Sequence, residues 1–188
     1  YEIHERLVGS EMCIRDRLRI LCGAAVMTAL LLVLQVLTKS MGQFITGSCV
    51  NAVLAAACLS GGFWCGAATA LISPFAAFLL GIGPALIQIV PIIALGNLSL
   101  VAVFAARKPK AEGTFFGAAI TAAAAAAVKG TLLFLLVTKL ALPLLNLPEK
   151  QAAALALMFS WPQLVTALIG GGLGTIVSRA VEKSRRGG

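Results

Sequence analysis

Acidic side chains are almost missing from this chain, which has 7 Asp and Glu against 15 Lys and Arg in 188 residues, and it has 1 histidine. Glu2, Glu5, Glu11 and Asp16, together with His4, fall in the first stretch of the sequence; beyond it the acids are Glu112, Glu149 and Glu182. Paired carboxylates for acid–base work, a Ser/His/Asp set and a histidine-based metalloprotease helix all need residues that are not there. No G-x-x-x-x-G-K-[ST] loop occurs, so the chain does not hold ATP by that device. An enzyme is therefore not expected, and no cofactor or metal motif is visible. Beyond Cys13 in the opening stretch, Cys22, Cys49, Cys58 and Cys65 form no C-x-x-C pair and read as small apolar filler.

Charge of either sign is scarce as well. Charged residues make up 12% and hydrophobic ones 60%, with a mean hydropathy of +0.98. Soluble domains average about 25% charged and about 45–50% apolar, so this composition needs lipid as its solvent. From Ser40 to Ala106 there is no charged residue at all. At about 1.5 Å per helical residue that stretch is long enough to cross a core of about 30 Å three times.

Residues 1–17 differ from everything that follows, being charged and aperiodic. The run 10–17 resembles translated sequencing-adapter read-through, and 1–17 are expected to be a non-native leader. Turn signals divide the remainder. Ser60-Gly61-Gly62, Gly81-Ile82-Gly83-Pro84, the basic run Arg107-Lys108-Pro109-Lys110 and the proline-bearing loop 140–150 mark the breaks. The pattern predicts an all-α membrane domain over 18–179 with six transmembrane helices at 18–38, 41–59, 63–80, 84–106, 113–138 and 148–177, followed by a basic tail at 180–188.

Orientation follows from Lys and Arg, which are retained on the cytoplasmic side of a bilayer. Arg19, then Arg107, Lys108 and Lys110, then Arg179, Lys183, Arg185 and Arg186 fall on one side of a six-span chain; Lys39, Lys139 and Lys150 fall on the other. Both ends are thus expected in the cytoplasm. Lipid headgroups are natural neighbours of these cations. No aromatic or glycine-rich recognition motif accompanies them, which argues against nucleic acid as a partner.

Polar residues inside the spans carry the functional reading. Lys129 interrupts an alanine-rich helix, and a central lysine costs about 2.5–3.5 kcal/mol on insertion scales, which makes it a site candidate. It is expected roughly 14 Å in from the outer end of its helix, with Asn51, Trp161 and Gln163 at similar depth, Gln88 shallower and Asn97 deeper. Pro91 and Pro162, taken as helix-interior prolines, would each free a carbonyl that a polar cavity can satisfy. An outward-opening pocket for a small molecule among helices 4, 5 and 6 is one reading. The other is that Lys129 snorkels and the amides join neighbouring helices. Ala25 and Ala29 share one face of helix 1, a spacing that permits close helix approach, and Gly170-Gly-Gly-Leu-Gly174 reads as a tight crossing.

The runs Gln43-Phe-Ile-Thr-Gly-Ser-Cys-Val-Asn51, Gly81-Ile-Gly-Pro84 leading to Val90-Pro-Ile-Ile-Ala-Leu-Gly-Asn97, and Leu147-Pro-Glu-Lys-Gln151 followed by Phe159-Ser-Trp-Pro-Gln-Leu164 resemble the substrate-binding S component of energy-coupling factor transporters. The resemblance implies a six-helix protein of the prokaryotic cell membrane that captures a vitamin or related micronutrient from outside. It implies partners too: a transmembrane coupling subunit, onto which the Ala25/Ala29 face would dock, and two cytosolic ATPases. Its cavity would lie near the outer face, bounded by the loop after helix 1 and by helices 4 to 6. A self-sufficient secondary carrier or channel and a structural membrane protein are the competing readings. The first lacks visible repeats or intramembrane acids, and the second leaves Lys129 unexplained.

Overall fold

With no water in a bilayer core, each backbone N–H and C=O must find its partner within the chain, and a helix supplies all of them locally. The computed structural model describes residues 2–83, 86–108, 113–145 and 147–187, with side chains described between Arg15 and Ser184. Every regular element among the described residues is helical. Lys110, Glu112 and the side chains of His4, Arg185 and Arg186 lie outside them.

The order is α1 (Glu2–Thr38), α2 (Gln43–Gly61), α3 (Phe63–Leu79), α4 (Val90–Ala106), α5 (Phe115–Leu135), α6 (Glu149–Met158) and α7 (Trp161–Gly187). Five helical segments are long and apolar enough to cross a membrane, and Phe63–Leu79 is a shorter apolar helix. At 17 residues, α3 reaches about 25 Å. The α2–α3 turn is a single residue, Gly62, at φ +85, a backbone state that a side chain would strain.

Prolines relocate several boundaries. The fourth helix, expected from 84, begins at Val90 after a 3-10 turn at Ile87–Ile89, which places Pro91 in its first turn. There the missing N–H costs nothing, so Pro91 frees no interior carbonyl. The single helix expected over 148–177 is two: α6 ends at Met158, and α7 restarts at Trp161 with Pro162 as its second residue and runs on to Gly187. Pro162 likewise opens a helix rather than interrupting one. The helix expected to end at 138 instead passes from α5 through a π-helical segment, Leu136–Ala141, into a turn at Leu142–Leu145. Pro143 lies just beyond the looser segment and cannot donate the N–H that an ordinary α-turn would use. A proline that sequence reading passed over, Pro74, lies inside a helix, α3.

Burial runs opposite to that of a water-soluble protein. Leu18, Leu21, Val26, Leu30, Leu79, Phe115, Phe116 and Ile176 face outward, while Ser48, Asn51, Thr69, Ser73, Asn97, Thr121, Lys129, Thr166 and Thr175 are buried. An apolar exterior with polar groups inside is what lipid as solvent selects. Four of the buried hydroxyls bond back to the carbonyl one turn earlier, Ser48 to Phe44, Thr69 to Cys65, Thr121 to Gly117 and Thr175 to Gly171, so they carry no unmet demand.

The most extensive helix pairing is α2 with α7. Gly170 and Gly174, one turn apart on α7, lie against the backbone of α2: a Cβ on Gly170 would come within 2.4 Å of the Ser48 carbonyl oxygen, and one on Gly174 equally close to that of Ala52. This is the tight crossing expected of that run. Around it, Leu54, Cys58, Leu100, Val101, Phe104, Ala122 and Ala167 form the central core. A second cluster of Ile89, Ile92, Leu133, Val137 and Phe159 packs the end of the bundle where α4 and α7 begin. The opposite end gathers Arg19, Arg107, Lys108, Arg179 and Lys183. There Lys108 Nζ donates to the Leu59 carbonyl (2.7 Å) and Arg179 Nη2 to the Thr114 carbonyl (2.6 Å). The Leu59 carbonyl belongs to the last turn of α2, where a cation can close exposed helix carbonyls.

Candidate functional site

A cavity of about 360 Å³ opens at the less basic end of the bundle. Its floor is Lys129, carried into the bundle by α5 and 3% exposed. Small residues make this placement possible. Ala122, Ala125 and Ala126 on the same helix are buried with it, and side chains this short let neighbouring helices close in around the longer lysine. The ammonium donates to Asn51 Oδ1 of α2 at 2.6 Å and to Asn97 Oδ1 of α4 at 2.7 Å. Both distances are short, as expected when the donor is charged. Three helices are thereby tied at one point, about 10–12 Å from the starts of α2 and α4. Asn51 and Asn97 are 1% and 2% exposed, so the cluster is removed from bulk solvent except through the cavity.

Above this floor the walls are mostly apolar, with Val50, Pro74, Ala77, Ile93, Leu133 and Phe159 contributing. Two buried polar atoms on them, Ser73 Oγ and Gln35 Oε1, have no hydrogen-bond partner among the described residues. At the mouth, Lys39 Nζ donates to the Gly81 carbonyl (3.0 Å), joining the segment after α1 to the segment after α3. Gln43 Nε2 donates to the Met158 carbonyl (3.0 Å), joining the start of α2 to the end of α6.

The structure therefore brings Asn51, Asn97, Lys129 and Gln163 to one cavity, and leaves two other expected site residues out of its lining. Gln88 is exposed on the 3-10 turn before α4. Trp161 is 55% exposed and its ring lies against Phe44 (centroids 5.5 Å apart), in the position of an interfacial aromatic anchor. Gln163 sits at the mouth and not at depth, because the chain breaks at Phe159–Ser160 and α7 starts only two residues before it. The walls also differ from those expected: α2 and α3 contribute as much as the later helices. Gln35, Ser73 and Pro74 were missed. A serine inside an apolar span ordinarily bonds its own helix, and nothing in the linear pattern marks Ser73 as different. Gln88→Ala is expected to leave both thermal stability and ligand binding within error of the parent, since its side chain is exposed and away from the cavity; a clear loss of binding in a titration would place Gln88 in the site after all.

Ala25 and Ala29 are exposed on α1, on a face that no other described helix covers. Comparison with protein-family models, curated proteins and solved structures finds no match to this chain. Geometry and chemistry carry the functional reading.

Proposed function

We propose that this protein is the substrate-capture subunit of an ATP-driven importer of the energy-coupling factor type, taking up a vitamin or related micronutrient. The observation that supports this best is the Lys129–Asn51–Asn97 cluster lying at the floor of an open cavity. A volume of about 360 Å³ with a few polar groups in an apolar wall suits a small-molecule site. In this reading six spans cross the cell membrane of a prokaryote, both ends are cytoplasmic, and the cavity faces outward, because the basic clusters occupy the opposite end. Energy comes from two cytosolic ATPases through a transmembrane coupling subunit that docks on the exposed Ala25/Ala29 face.

Uptake into vesicles holding the chain alone, compared with vesicles holding the chain and the partner complex, tests the proposal. Transport that proceeds without partners would reject it in favour of a self-sufficient carrier. The docking face makes a separate demand. Ala29→Leu fills the space a partner helix would occupy but touches nothing in the bundle, so copurification of the coupling subunit should fall roughly ten-fold, about 1.4 kcal/mol. Ligand binding by the isolated chain should not change. Undiminished copurification of Ala25→Leu and Ala29→Leu would remove α1 as the docking helix.

A further inference from the structure

We infer that the ligand of this cavity is a small anion, held with its negative group on Lys129 at the floor and a hydrogen-bond donor of its own toward the mouth. The inference rests on the capture reading above and names the class of molecule captured.

The floor is built from donors. A carbonyl oxygen can only accept, so the two asparagines, by turning Oδ1 to the ammonium, turn their N–H₂ groups elsewhere. Lys129 has three N–H donors and spends two on them, leaving the third without an acceptor among the described residues. The Ser73 hydroxyl, on a residue 1% exposed, lines the same cavity without a partner. Among the described residues no carboxylate lines the cavity. Asn51 and Asn97 solvate the ammonium but bring no charge to balance it. A buried cation whose neighbours are neutral is stabilised most by an anion, and a buried group with a free N–H by an acceptor.

The mouth adds side-chain acceptors beside Lys39, whose ammonium is turned to the Gly81 carbonyl. Gln43 and Gln163 both direct Nε2 to the Met158 carbonyl, which leaves their Oε1 atoms as acceptors. Gln35 Oε1 is a third acceptor on the cavity wall, without a partner. Between floor and mouth lie Val50, Pro74, Ile93, Leu133 and Phe159. A molecule complementary to all three zones carries an oxyanion such as a carboxylate at one end, an apolar middle, and an N–H or O–H at the other. One buried lysine matches one negative charge.

The test uses purified chain in detergent and, as probe, deproteinised yeast extract separated at pH 7 on a strong anion-exchange resin into a retained anionic fraction and an unretained neutral and cationic fraction. Thermal unfolding is measured with each. Stabilisation by the anionic fraction alone is the expected result. Stabilisation by the unretained fraction alone overturns the anion while leaving capture intact. Stabilisation by neither overturns both readings together. Titration of the active anionic fraction should then show Lys129→Gln weakened roughly a hundred-fold and Ser73→Ala roughly ten-fold. Ser73→Ala removes one exposed-to-cavity hydroxyl and keeps the helix, so a folded Ser73→Ala protein with parental affinity would remove the serine from the anion site even if Lys129→Gln fails to fold.

Discussion

Lys129→Ala is expected to lower ligand affinity about a hundred-fold while the chain still inserts and folds. The reason is a near-cancellation in the unliganded protein that has no counterpart when ligand is bound. Truncation strands Asn51 Oδ1 and Asn97 Oδ1, now without their donor, at a cost of about 1–3 kcal/mol each. Against that, the ammonium no longer has to be held in the bundle, which relieves about 2.5–3.5 kcal/mol. Stability should therefore fall by at most about 3.5 kcal/mol or rise by up to about 1.5 kcal/mol. Removing an acceptor instead gives a different result. Asn51→Leu leaves the ammonium in place with half its solvation and should destabilise the protein by about 3–5 kcal/mol, more than Lys129→Ala does. Adding Lys129→Met to Asn51→Leu should then recover part of the loss, because the unpaired charge is gone. Unfolding temperatures of the two single variants and the double variant check the order. If Asn51→Leu proved milder than Lys129→Ala, the cluster would not be a solvated buried charge.

Gly170→Ala should rank with Gly174→Ala among the most costly methyl additions at the described glycines, and should cost ligand binding with it. The new Cβ would lie 2.4 Å from the Ser48 carbonyl oxygen and 2.6 Å from Asn51 Cβ. Backbone cannot rotate away as a side chain can, so α2 must move off α7. Overpacking of this kind costs about 1–3 kcal/mol, and here it displaces the residue that holds one of the two oxygens on Lys129. Gly172→Ala, two residues on, is the matched control. A Cβ there meets nothing within 4 Å, so stability should stay level or rise by up to about 1 kcal/mol. Unfolding temperature and ligand titration on the two variants separate the outcomes. Equal behaviour of Gly170→Ala and Gly172→Ala would mean that α2 and α7 do not meet at this crossing.

Much of the helical layout is legible in the linear order because a bilayer imposes a length on every span. The charge-free run 40–106, broken at Gly62 and again near Gly81, could fold only into consecutive helices, and α2, α3 and α4 occupy it. Where the reading failed, it failed at prolines. Pro91 and Pro162 were assigned to helix interiors, and in the structure both sit in the first turn of a new helix. A proline in an apolar stretch is compatible with a kink or with a start, and apolar composition on both sides hides which. The consequence for the site was direct: with α7 starting at Trp161, Gln163 moved from mid-depth to the mouth and Trp161 to the outer surface.

The residues alone determined that lipid is the solvent, that the elements are apolar helices, most of them long enough to span a membrane, and that Lys129 is the costly group requiring a reason. These follow from composition and from the free energy of single side chains in hydrocarbon, which are properties of the linear chain. Tertiary structure decided which polar residues share a space. Asn51, Asn97 and Lys129 are separated by 78 and 32 positions along the chain and meet within 2.7 Å. In a bundle whose helices are apolar nearly all round, no amphipathic stripe points to the neighbour. The close approach of α2 and α7 at Gly170 and Gly174 helps set which faces meet, and with them the partners of the buried lysine.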